Sequence, residues 1–389
     1  SASLPMSTSM RAKLESLSRG LKRKAEGERD VSSRKRRVVT DESRRYAGAP
    51  LSAPVVGRWW AYLGGGRKKW KIAVGPTEGY RSVAKLSVRR QDGETVMGLF
   101  ASGSRRVAGP ATSDAHTFAV NVAIRAVEAK LGAVRGYENG EAADSGTLNY
   151  ACFAEHRPSK TTRLVLVANA SDDRVARLRG VAAELYENNA KNRVFHSIHG
   201  YYRPVDRHDG AIFGRDDDGE WQLLAGPDGP IDDRLFPDGP RLFYGASCFR
   251  QANLDQFAHI VAAIRDATPQ GARVVELYAG VGLVSFHLLR KAAKVDASDE
   301  NPANIACVRR TLATLEPGRR KKFAYETAPA ADVARRGALD DDANCDFLIV
   351  DPPRKGLCQP VIDALLRRTK AMTLAYVSCG FDAFQRDAD

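Results

Sequence analysis

The heptapeptide ELYAGVG occupies residues 276–282 and is the strongest indication of the fold. It ends a short apolar run that begins at Arg273, and a helical pattern follows from Leu283, so a strand-to-helix turn is predicted. Two glycines in such a turn let a ligand approach the backbone closely. Ser285 stands where the third glycine of a dinucleotide-binding fingerprint would lie. The turn therefore favours a ligand such as adenosine without its phosphates.

Strands and helices alternate along this part of the chain. Apolar strand patterns occupy residues 294–297, 347–350 and 372–377, and helical patterns follow the first strands. Such alternation predicts an α/β fold with a doubly wound parallel sheet. In sheets of this kind the ligand binds at the carboxyl ends of the strands. The residues that follow each strand are therefore the candidate site residues.

Carboxylates follow two of these strands. Asp299 can accept hydrogen bonds from ribose hydroxyls, and an ordinary helix N-cap is the alternative. Asp351 is followed by Pro352 and Pro353, which force a rigid, extended exit from the sheet and hold the carboxylate at its edge. The glycine turn and the two carboxylates together predict a Rossmann-like class I methyltransferase that uses S-adenosylmethionine.

A single cysteine follows the last strand, in YVSCG at residues 376–380. A structural cysteine usually lies within an apolar strand, and packing is the more common explanation for a cysteine taken alone. Cys379 instead lies where the strand should end, beside Gly380, which lets the backbone turn away. This position makes Cys379 a candidate nucleophile.

Four motifs together carry a resemblance to a known family. FRQAN at 249–253, ELYAGVG at 276–282, DPPRKGL at 351–357 and YVSCG at 376–380 resemble the motifs of the TrmA/RumA-type RNA (uracil-5-)methyltransferases. Their order and spacing also match. The resemblance extends over residues 58–389, and it is the combination of Asp-Pro-Pro-Arg with the later cysteine that makes it specific.

The resemblance implies a role for each site residue. Cys379 would be the nucleophile that adds to carbon 6 of uracil, and Asp351 would lie between the cofactor and the base. The other cofactor-binding residues would be Gln251, Tyr278, Gly280, Gly282 and Asp299. Arg354 is our own addition as a catalytic residue, because a guanidinium close to the base could steady an enolate oxygen or a phosphate. A surface ion pair is the alternative for Arg354.

Two features depart from the family's pattern. Some members hold an iron–sulfur cluster through grouped cysteines, whereas the six cysteines here are scattered, so we expect no such cluster. The proton-abstracting glutamate of the family would lie beyond residue 389. We therefore expect the C-terminal part of the methyltransferase domain to be missing, and we do not assign this base to Asp382 or Asp387.

The 389-residue chain carries a formal net charge of +13, which predicts a polyanionic partner. Residues 1–50 are rich in Ser, Lys and Arg and predict a disordered basic tail. Basic groups within residues 22–37 resemble a bipartite nuclear-localisation signal, so an intracellular protein of the nucleus, cytoplasm or an organelle is expected. We predict an α+β, RNA-binding central domain over residues 51–240 and the methyltransferase domain over residues 241–389.

Residues 58–90 combine nine basic side chains with a single acid, and aromatic residues are interleaved with them. Cations for phosphates and flat rings for unstacked bases are what looped RNA requires. We predict RNA contacts through Arg81, Lys85 and Arg89, with a solvated basic strand face as the alternative. The resemblance points to tRNA or rRNA as the partner. We expect no membrane partner, because no apolar run approaches the ~20 residues of a membrane helix, and we expect a monomer.

Three other functions stay open at this point. An amino-group methyltransferase also uses Asp-Pro-Pro but favours an aromatic residue next, where Arg354 stands. An RNA cytosine-5 methyltransferase uses a second cysteine beside the strand-end proline, and Cys358 lies beyond that place. A catalytically incomplete RNA-binding relative would keep the cofactor pocket without turnover.

Overall fold

The structure, a computed structural model, describes most of the chain. The described residues are 53–63, 71–134, 136, 148–169, 172–187, 193–203, 212–213 and 219–389. They divide into two compact units, one within residues 77–228 and one formed by residues 229–389 together with those described up to Pro76. The predicted tail and its nuclear signal lie outside the described residues. The first described helix, α1 (Pro54–Tyr62), belongs to the second unit.

The first unit is built on a sheet of seven strands. Its strands are β1 (Val83–Gln91), β2 (Glu94–Phe100), β3 (Val107–Ala108), β4 (Leu148–His156), β5 (Thr161–Asn169), β6 (Phe195–Arg203) and β7 (Glu220–Ala225), and its helices are α2 (Phe118–Glu128) and α3 (Asp172–Glu187). The strand order is β3-β2-β1-β4-β5-β6-β7. Neighbours are antiparallel except β5 and β6, which are parallel.

One face of this sheet forms the core of the first unit. Leu86 of β1 lies opposite Ala151 of β4, which in turn lies opposite Leu166 of β5. All three are buried in one cluster with residues of α2 and α3. Because side chains alternate across a strand, the residues between them, such as Lys85, lie on the opposite face of the sheet.

The second unit contains a five-stranded parallel sheet and a separate two-stranded one. Its strands are β8 (Ile231–Asp233), β9 (Leu242–Tyr244), β10 (Arg273–Leu277), β11 (Lys294–Asp299), β12 (Phe323–Thr327), β13 (Phe347–Val350) and β14 (Thr373–Tyr376). Its further helices are α4 (Leu254–Ala267), α5 (Ser285–Leu288), α6 (Asn304–Ala313), α7 (Pro317–Arg320), α8 (Ala330–Arg335), α9 (Gln359–Arg367) and α10 (Phe381–Ala388).

The order of the parallel sheet, β12-β11-β10-β13-β14, places its first strand in the middle. The chain runs outward through β11 and β12, and then crosses to the other side of β10 for β13 and β14. This reversal creates a crevice at the carboxyl ends of β10 and β13, where sheets of this type bind ligands. The predicted doubly wound, Rossmann-like fold is confirmed.

Two elements of the second unit differ from the predictions. Strand β12 carries only one buried residue, Phe323, so its sequence lacks the apolar run by which the other strands were recognised. Helix α1 falls within the central domain predicted for residues 51–240, yet it belongs with the methyltransferase unit. The boundary between the two units also falls after Asp228 and not at residue 240.

Among the residues that the structure describes, no helix combines the length and the apolar character needed to cross a bilayer.

Candidate active site

Strand register brings the predicted site residues to one edge of the parallel sheet. Leu277, the last residue of β10, lies opposite Ser298 of β11 and opposite Val350 of β13. Val350 in turn lies opposite Tyr376 of β14. The residues that follow these positions, including Asp299 and Asp351, therefore meet at the carboxyl edge of the sheet. The predicted grouping of strand ends is present.

The turn after β10 adopts a backbone that favours glycine. Tyr278, Gly280 and Gly282 have φ angles of 60°, 56° and 81°, all in the left-handed region. A Cβ added at Gly280 would meet no atom within 4 Å, so open space lies against the backbone there. A Cβ at Gly282 would lie 2.9 Å from the ring of Phe286. The first glycine leaves room for a ligand, and the second lets the turn pack on its own helix.

Asp299 holds the glycine turn in place. Its Oδ2 accepts a 2.9 Å hydrogen bond from the backbone N–H of Gly280. Its Oδ1 accepts hydrogen bonds from the backbone N–H of Asn301, at 2.9 Å, and from the Asn304 side chain, at 3.0 Å. The N-cap of α6 is Ala303, so Asp299 is not an ordinary helix cap. Burial raises the pKa of Asp299, although these three donors oppose the shift.

Asp351 and Gln251 meet at the neighbouring strand end. The side-chain amide of Gln251 donates a 3.3 Å hydrogen bond to Oδ2 of Asp351, across 100 residues of sequence. Burial raises the pKa of Asp351 to about 6. The two predicted cofactor residues from FRQAN and Asp-Pro-Pro are thus adjacent, and the carboxyl group is mainly ionised at neutral pH.

Glu276 is a buried carboxyl group that the sequence did not single out as a site residue. It is 2% exposed, and its Oε2 accepts hydrogen bonds from the backbone N–H and the hydroxyl of Ser285. Burial raises its pKa to about 8, against the opposing effect of the Ser285 hydrogen bonds. The hydrogen bonds between Glu276 and Ser285 link β10 to the start of α5. Its place at the head of ELYAGVG was the only sequence signal for this role.

Cys379 lies in the loop between β14 and α10, and it is exposed. The loop starts where the backbone N–H of Val377 donates a 2.8 Å hydrogen bond to the carbonyl of Val350. It is closed by Ser378, whose hydroxyl donates to the carbonyl of Gly380 at 2.8 Å. The thiol is therefore presented to solvent by a tight loop beside the end of β13, and it is not part of the packed core.

Arg354 lies in the loop that follows Asp351, and its side chain is exposed. Its carbonyl oxygen lies 3.7 Å from the position of a Cβ built on Gly380. The loop that carries Asp351 and the loop that carries Cys379 are thus in contact through Arg354 and Gly380. The catalytic role of Arg354 stays a prediction.

Helix α10 is joined to the Asp351 loop by side-chain hydrogen bonds. The side chain of Asp387 is fully buried, and its Oδ2 accepts 2.7 Å hydrogen bonds from the backbone N–H of Leu357 and from the hydroxyl of Tyr376. The guanidinium of Arg386 donates to the carbonyl of Lys355 at 2.6 Å. The Cys379 loop connects β14 to α10, and the hydrogen bond between Tyr376 and Asp387 joins these two elements.

Helix α1 packs against α10 through aromatic side chains. The Trp59 ring lies 4.9 Å from that of Phe381 and 4.7 Å from that of Phe384, measured between centroids. Arg58 pairs with Asp382 at the surface. This aromatic contact explains why α1 belongs to the methyltransferase unit. It also places Asp382 in an ion pair and Asp387 in a structural hydrogen-bond network.

Cys358, the second cysteine considered for a cytosine-5 mechanism, lies at the end of the Asp351 loop. The hydroxyl of Tyr278 donates a 3.5 Å hydrogen bond to its Sγ, and burial raises the pKa of Tyr278. Cys358 is the N-cap residue of α9. Its thiol therefore contacts Tyr278 of the glycine turn.

The three cations predicted to contact RNA differ in their placement within the first unit. Arg81 and Lys85 are exposed. Arg89 is only 5% exposed, and its guanidinium donates 2.8 Å hydrogen bonds to the carbonyls of Val88 and Asn149. The structure corrects the prediction for Arg89, because a guanidinium engaged inside the sheet cannot also hold a phosphate at the surface.

An aromatic cluster that the sequence did not reveal lies on the same sheet face as Lys85. The rings of Tyr201, Phe213 and Trp221 lie between 4.7 and 5.5 Å from one another. Trp221 is 38% exposed, and the Lys85 ammonium group lies 5.6 Å from the Phe213 ring centroid. These residues are far apart in the sequence, so only the pairing of β6 with β7 brings them together.

The carboxyl edge of the parallel sheet offers the contacts that S-adenosylmethionine needs. The open space at Gly280 suits the close approach of a nucleoside. A carboxylate offers about four acceptor positions, and Asp299 uses three, so Oδ2 can still accept from a ribose hydroxyl. The residues present therefore fit this cofactor, with Gln251 and Asp351 at the end of the neighbouring strand β13.

Comparisons with known proteins point in the same direction. No protein-family model matches the chain. The chain is 28% identical over 322 residues to an uncharacterised RNA methyltransferase of Protochlamydia amoebophila, an alignment that covers 81% of this chain and 79% of that protein. It is 30% identical to the tRNA (uracil(54)-C(5))-methyltransferase of Pyrococcus abyssi, but over only 36% of this chain and 31% of that protein.

Among solved structures, the chain resembles the Pyrococcus abyssi tRNA (uracil-54, C5)-methyltransferase, which was crystallised with S-adenosyl-L-homocysteine. The TM-score is 0.59 at 20% identity, covering 80% of this chain and 68% of that one. The likeness confirms the class I methyltransferase fold. Together with the relatives named RNA methyltransferases, it confirms the family resemblance that the motifs indicated.

Proposed function

We propose that this chain, a class I methyltransferase by its fold and its relatives, uses S-adenosylmethionine to methylate uridine in RNA at carbon 5. One observation carries the proposal. Strand β14 lies beside β13, so that the exposed Cys379 follows one strand end and the half-buried Asp351 follows the next. A thiol nucleophile next to a nucleoside-binding sheet edge is the arrangement that this reaction needs.

Cys379 performs the step that activates the base. Its thiolate adds to carbon 6 of uracil, and the electron pair of the 5,6 double bond moves to give an enolate. Carbon 5 of that enolate is nucleophilic enough to take up a methyl group. When bound, S-adenosylmethionine supplies this group as a methyl sulfonium. Loss of the carbon 5 proton to a base then lets the thiolate leave and restores the double bond.

Two further side chains support this step. Asp351, mainly ionised at neutral pH, offers a negative charge at the sheet edge that complements a sulfonium. Arg354 is exposed on the loop that touches Gly380, where its guanidinium can reach the enolate oxygen or a neighbouring phosphate. Substitutions can separate the two roles, because Asp351 acts on the sulfonium of the cofactor and Arg354 acts on the base or a neighbouring phosphate.

The RNA would be held in part by the first unit. Arg81 and Lys85 supply exposed cations for phosphates, and Trp221 with Phe213 supplies rings on which unpaired bases can stack. A tRNA is the first candidate among structured RNAs, since one relative is named for uracil 54 of tRNA. We further propose that the protein acts as a monomer.

The test is a methylation assay with nucleoside analysis. The purified chain is incubated with labelled S-adenosylmethionine and either total tRNA or total rRNA, and the RNA is then digested to nucleosides. Labelled 5-methyluridine supports the proposal, and its source identifies the RNA class. Labelled 5-methylcytidine or an N-methylated base would replace it with one of the alternative reactions. No label above a Cys379→Ala control, either in free nucleosides or in RNA bound covalently to the protein, would refute it.

A further inference from the structure

Two cysteines outside the proposed catalytic loop lie in contact in the second unit. The Sγ atoms of Cys248 and Cys307 are 3.7 Å apart, although 59 residues separate them in the sequence. Cys248 lies in the segment between β9 and α4 and is half-buried, whereas Cys307 lies on α6 and is buried. A disulfide needs about 2.0 Å between the sulfurs, so each side would move by less than 1 Å.

The surroundings of the two thiols suit oxidation as a pair. The backbone N–H of Gly245 donates a 3.0 Å hydrogen bond to Sγ of Cys307, which favours the anionic form that attacks in disulfide chemistry. The Cys248 thiol donates to the carbonyl of Ala303 at 3.6 Å. A Cβ at Gly245 would lie 3.0 Å from one sulfur and 3.4 Å from the other. Any larger residue at position 245 would therefore crowd the two sulfurs.

We propose that Cys248 and Cys307 form a reversible disulfide when the protein meets a peroxide. The peroxide oxidises the accessible Cys248 sulfur to a sulfenic acid and leaves as water. The Cys307 sulfur then attacks that sulfur, the S–S bond forms, and a second water leaves with the thiol proton. Two thiols and one hydrogen peroxide thus give one disulfide and two waters. A dithiol reductant reverses the reaction by exchange.

The disulfide lies where it would disturb the cofactor edge of the sheet. Cys248 precedes Gln251, the partner of Asp351, and the carbonyl of the adjacent Ser247 accepts a hydrogen bond from Asn301 at 3.4 Å. Asn301 in turn donates to Asp299. Drawing the Cys248 segment towards α6 strains this chain of contacts. Resting on the proposed function, we infer that oxidation weakens S-adenosylmethionine binding about fivefold, the equivalent of one lost hydrogen bond.

The experiment follows the crosslink and the cofactor separately. A Cys379→Ser background removes the exposed thiol, which could otherwise pair between molecules. The protein is treated with hydrogen peroxide, blocked with a maleimide and digested without reductant for mass spectrometry. Cys307→Ser removes one member of the pair, and Cys345→Ser is the matched control, since Cys345 is also buried in this unit. S-adenosylmethionine affinity is measured by calorimetry before oxidation, after it, and after reduction.

We expect a peptide that joins Cys248 to Cys307 in the background and Cys345→Ser proteins, and its absence in Cys307→Ser. We also expect a fivefold loss of affinity that dithiothreitol restores. Separate over-oxidation of the two cysteines, or pairing with other cysteines, would overturn the proposal. A crosslink with unchanged affinity would overturn its link to the cofactor. If the reduced protein does not bind S-adenosylmethionine, the proposed function fails, while the peptide map still decides the disulfide.

Discussion

The carboxylate of Asp387 accepts a 2.7 Å hydrogen bond from the hydroxyl of Tyr376, which joins the C-terminal helix to the strand that precedes Cys379. The same carboxylate oxygen accepts from the backbone N–H of Leu357, in the loop that follows Asp351. One buried side chain therefore braces both loops that carry the proposed chemistry. This relationship is local to the second unit and can be tested without a substrate.

Removing the Asp387 carboxylate should destabilise the second unit. We expect Asp387→Ala to lower the free energy of unfolding by about 2 kcal/mol, because two donors lose their acceptor, and Tyr376→Phe to lower it by about 1 kcal/mol. Denaturant unfolding of both variants and of the double variant measures the coupling. Strictly additive losses would show that the two side chains do not interact.

Asp299 should contribute to cofactor binding and not only to stability. Asp299→Ala removes an acceptor for the ribose and the anchor of Gly280, so we expect S-adenosylmethionine affinity to fall by roughly 1–3 kcal/mol in calorimetry. Asp296→Ala is the control, because that carboxylate lies on the same strand but pairs with Lys294. Equal affinity with only a lower melting temperature would assign Asp299 a purely structural role.

Cys379 should form a covalent bond with RNA that contains 5-fluorouridine. Fluorine at carbon 5 cannot be removed as a proton is, so the adduct at carbon 6 persists after methyl transfer. A denaturing gel of labelled RNA should show a shifted band with the natural chain and with Cys358→Ala, and none with Cys379→Ala. A band that survives in Cys379→Ala would rule out this nucleophile.

Exposed and buried cations of the first unit should behave differently towards RNA. Arg81→Ala and Lys85→Ala should each weaken binding and reduce the salt slope by about 1, the amount for one lost phosphate contact. Arg89→Ala should instead lower the melting temperature, since its guanidinium bonds to two carbonyls inside the sheet. Arg106→Ala is the matched control, because that exposed guanidinium pairs with Asp92. Unchanged salt slopes for Arg81 and Lys85 would contradict the RNA assignment.

Stability should fall as pH rises through the range in which Glu276 titrates. Its pKa is about 8 in the folded protein against about 4.5 for a solvent-exposed glutamate, so between these pH values the folded state holds a proton that the unfolded state has released. We expect the free energy of unfolding to decrease by up to about 1.4 kcal/mol per pH unit from this group. Glu276→Gln should flatten the dependence, leaving the smaller contribution of Asp351; an identical slope would show that Glu276 ionises normally.

Much of the candidate site could be predicted from the sequence, because its information is local. In a parallel sheet the last residue of a strand and the few residues after it lie at the ligand edge, so Asp299, Asp351 and Cys379 could be assigned from their neighbours alone. The glycine turn likewise depends on φ angles that only its own residues decide. The doubly wound fold followed from the same strand pattern, except for β12, whose side chains are mostly exposed.

Only the tertiary structure decided which distant side chains meet. Asp387 with Tyr376, Cys248 with Cys307, and the ring cluster around Trp221 each join residues from separate elements, and no period or motif marks such pairs. Burial also depends on residues that are distant in the sequence. The sequence alone therefore does not show that Arg89 is buried and Lys85 is exposed, because both are cations of the same strand. Strand alternation then places both on one face, where position within the sheet buries one cation and leaves the other in water.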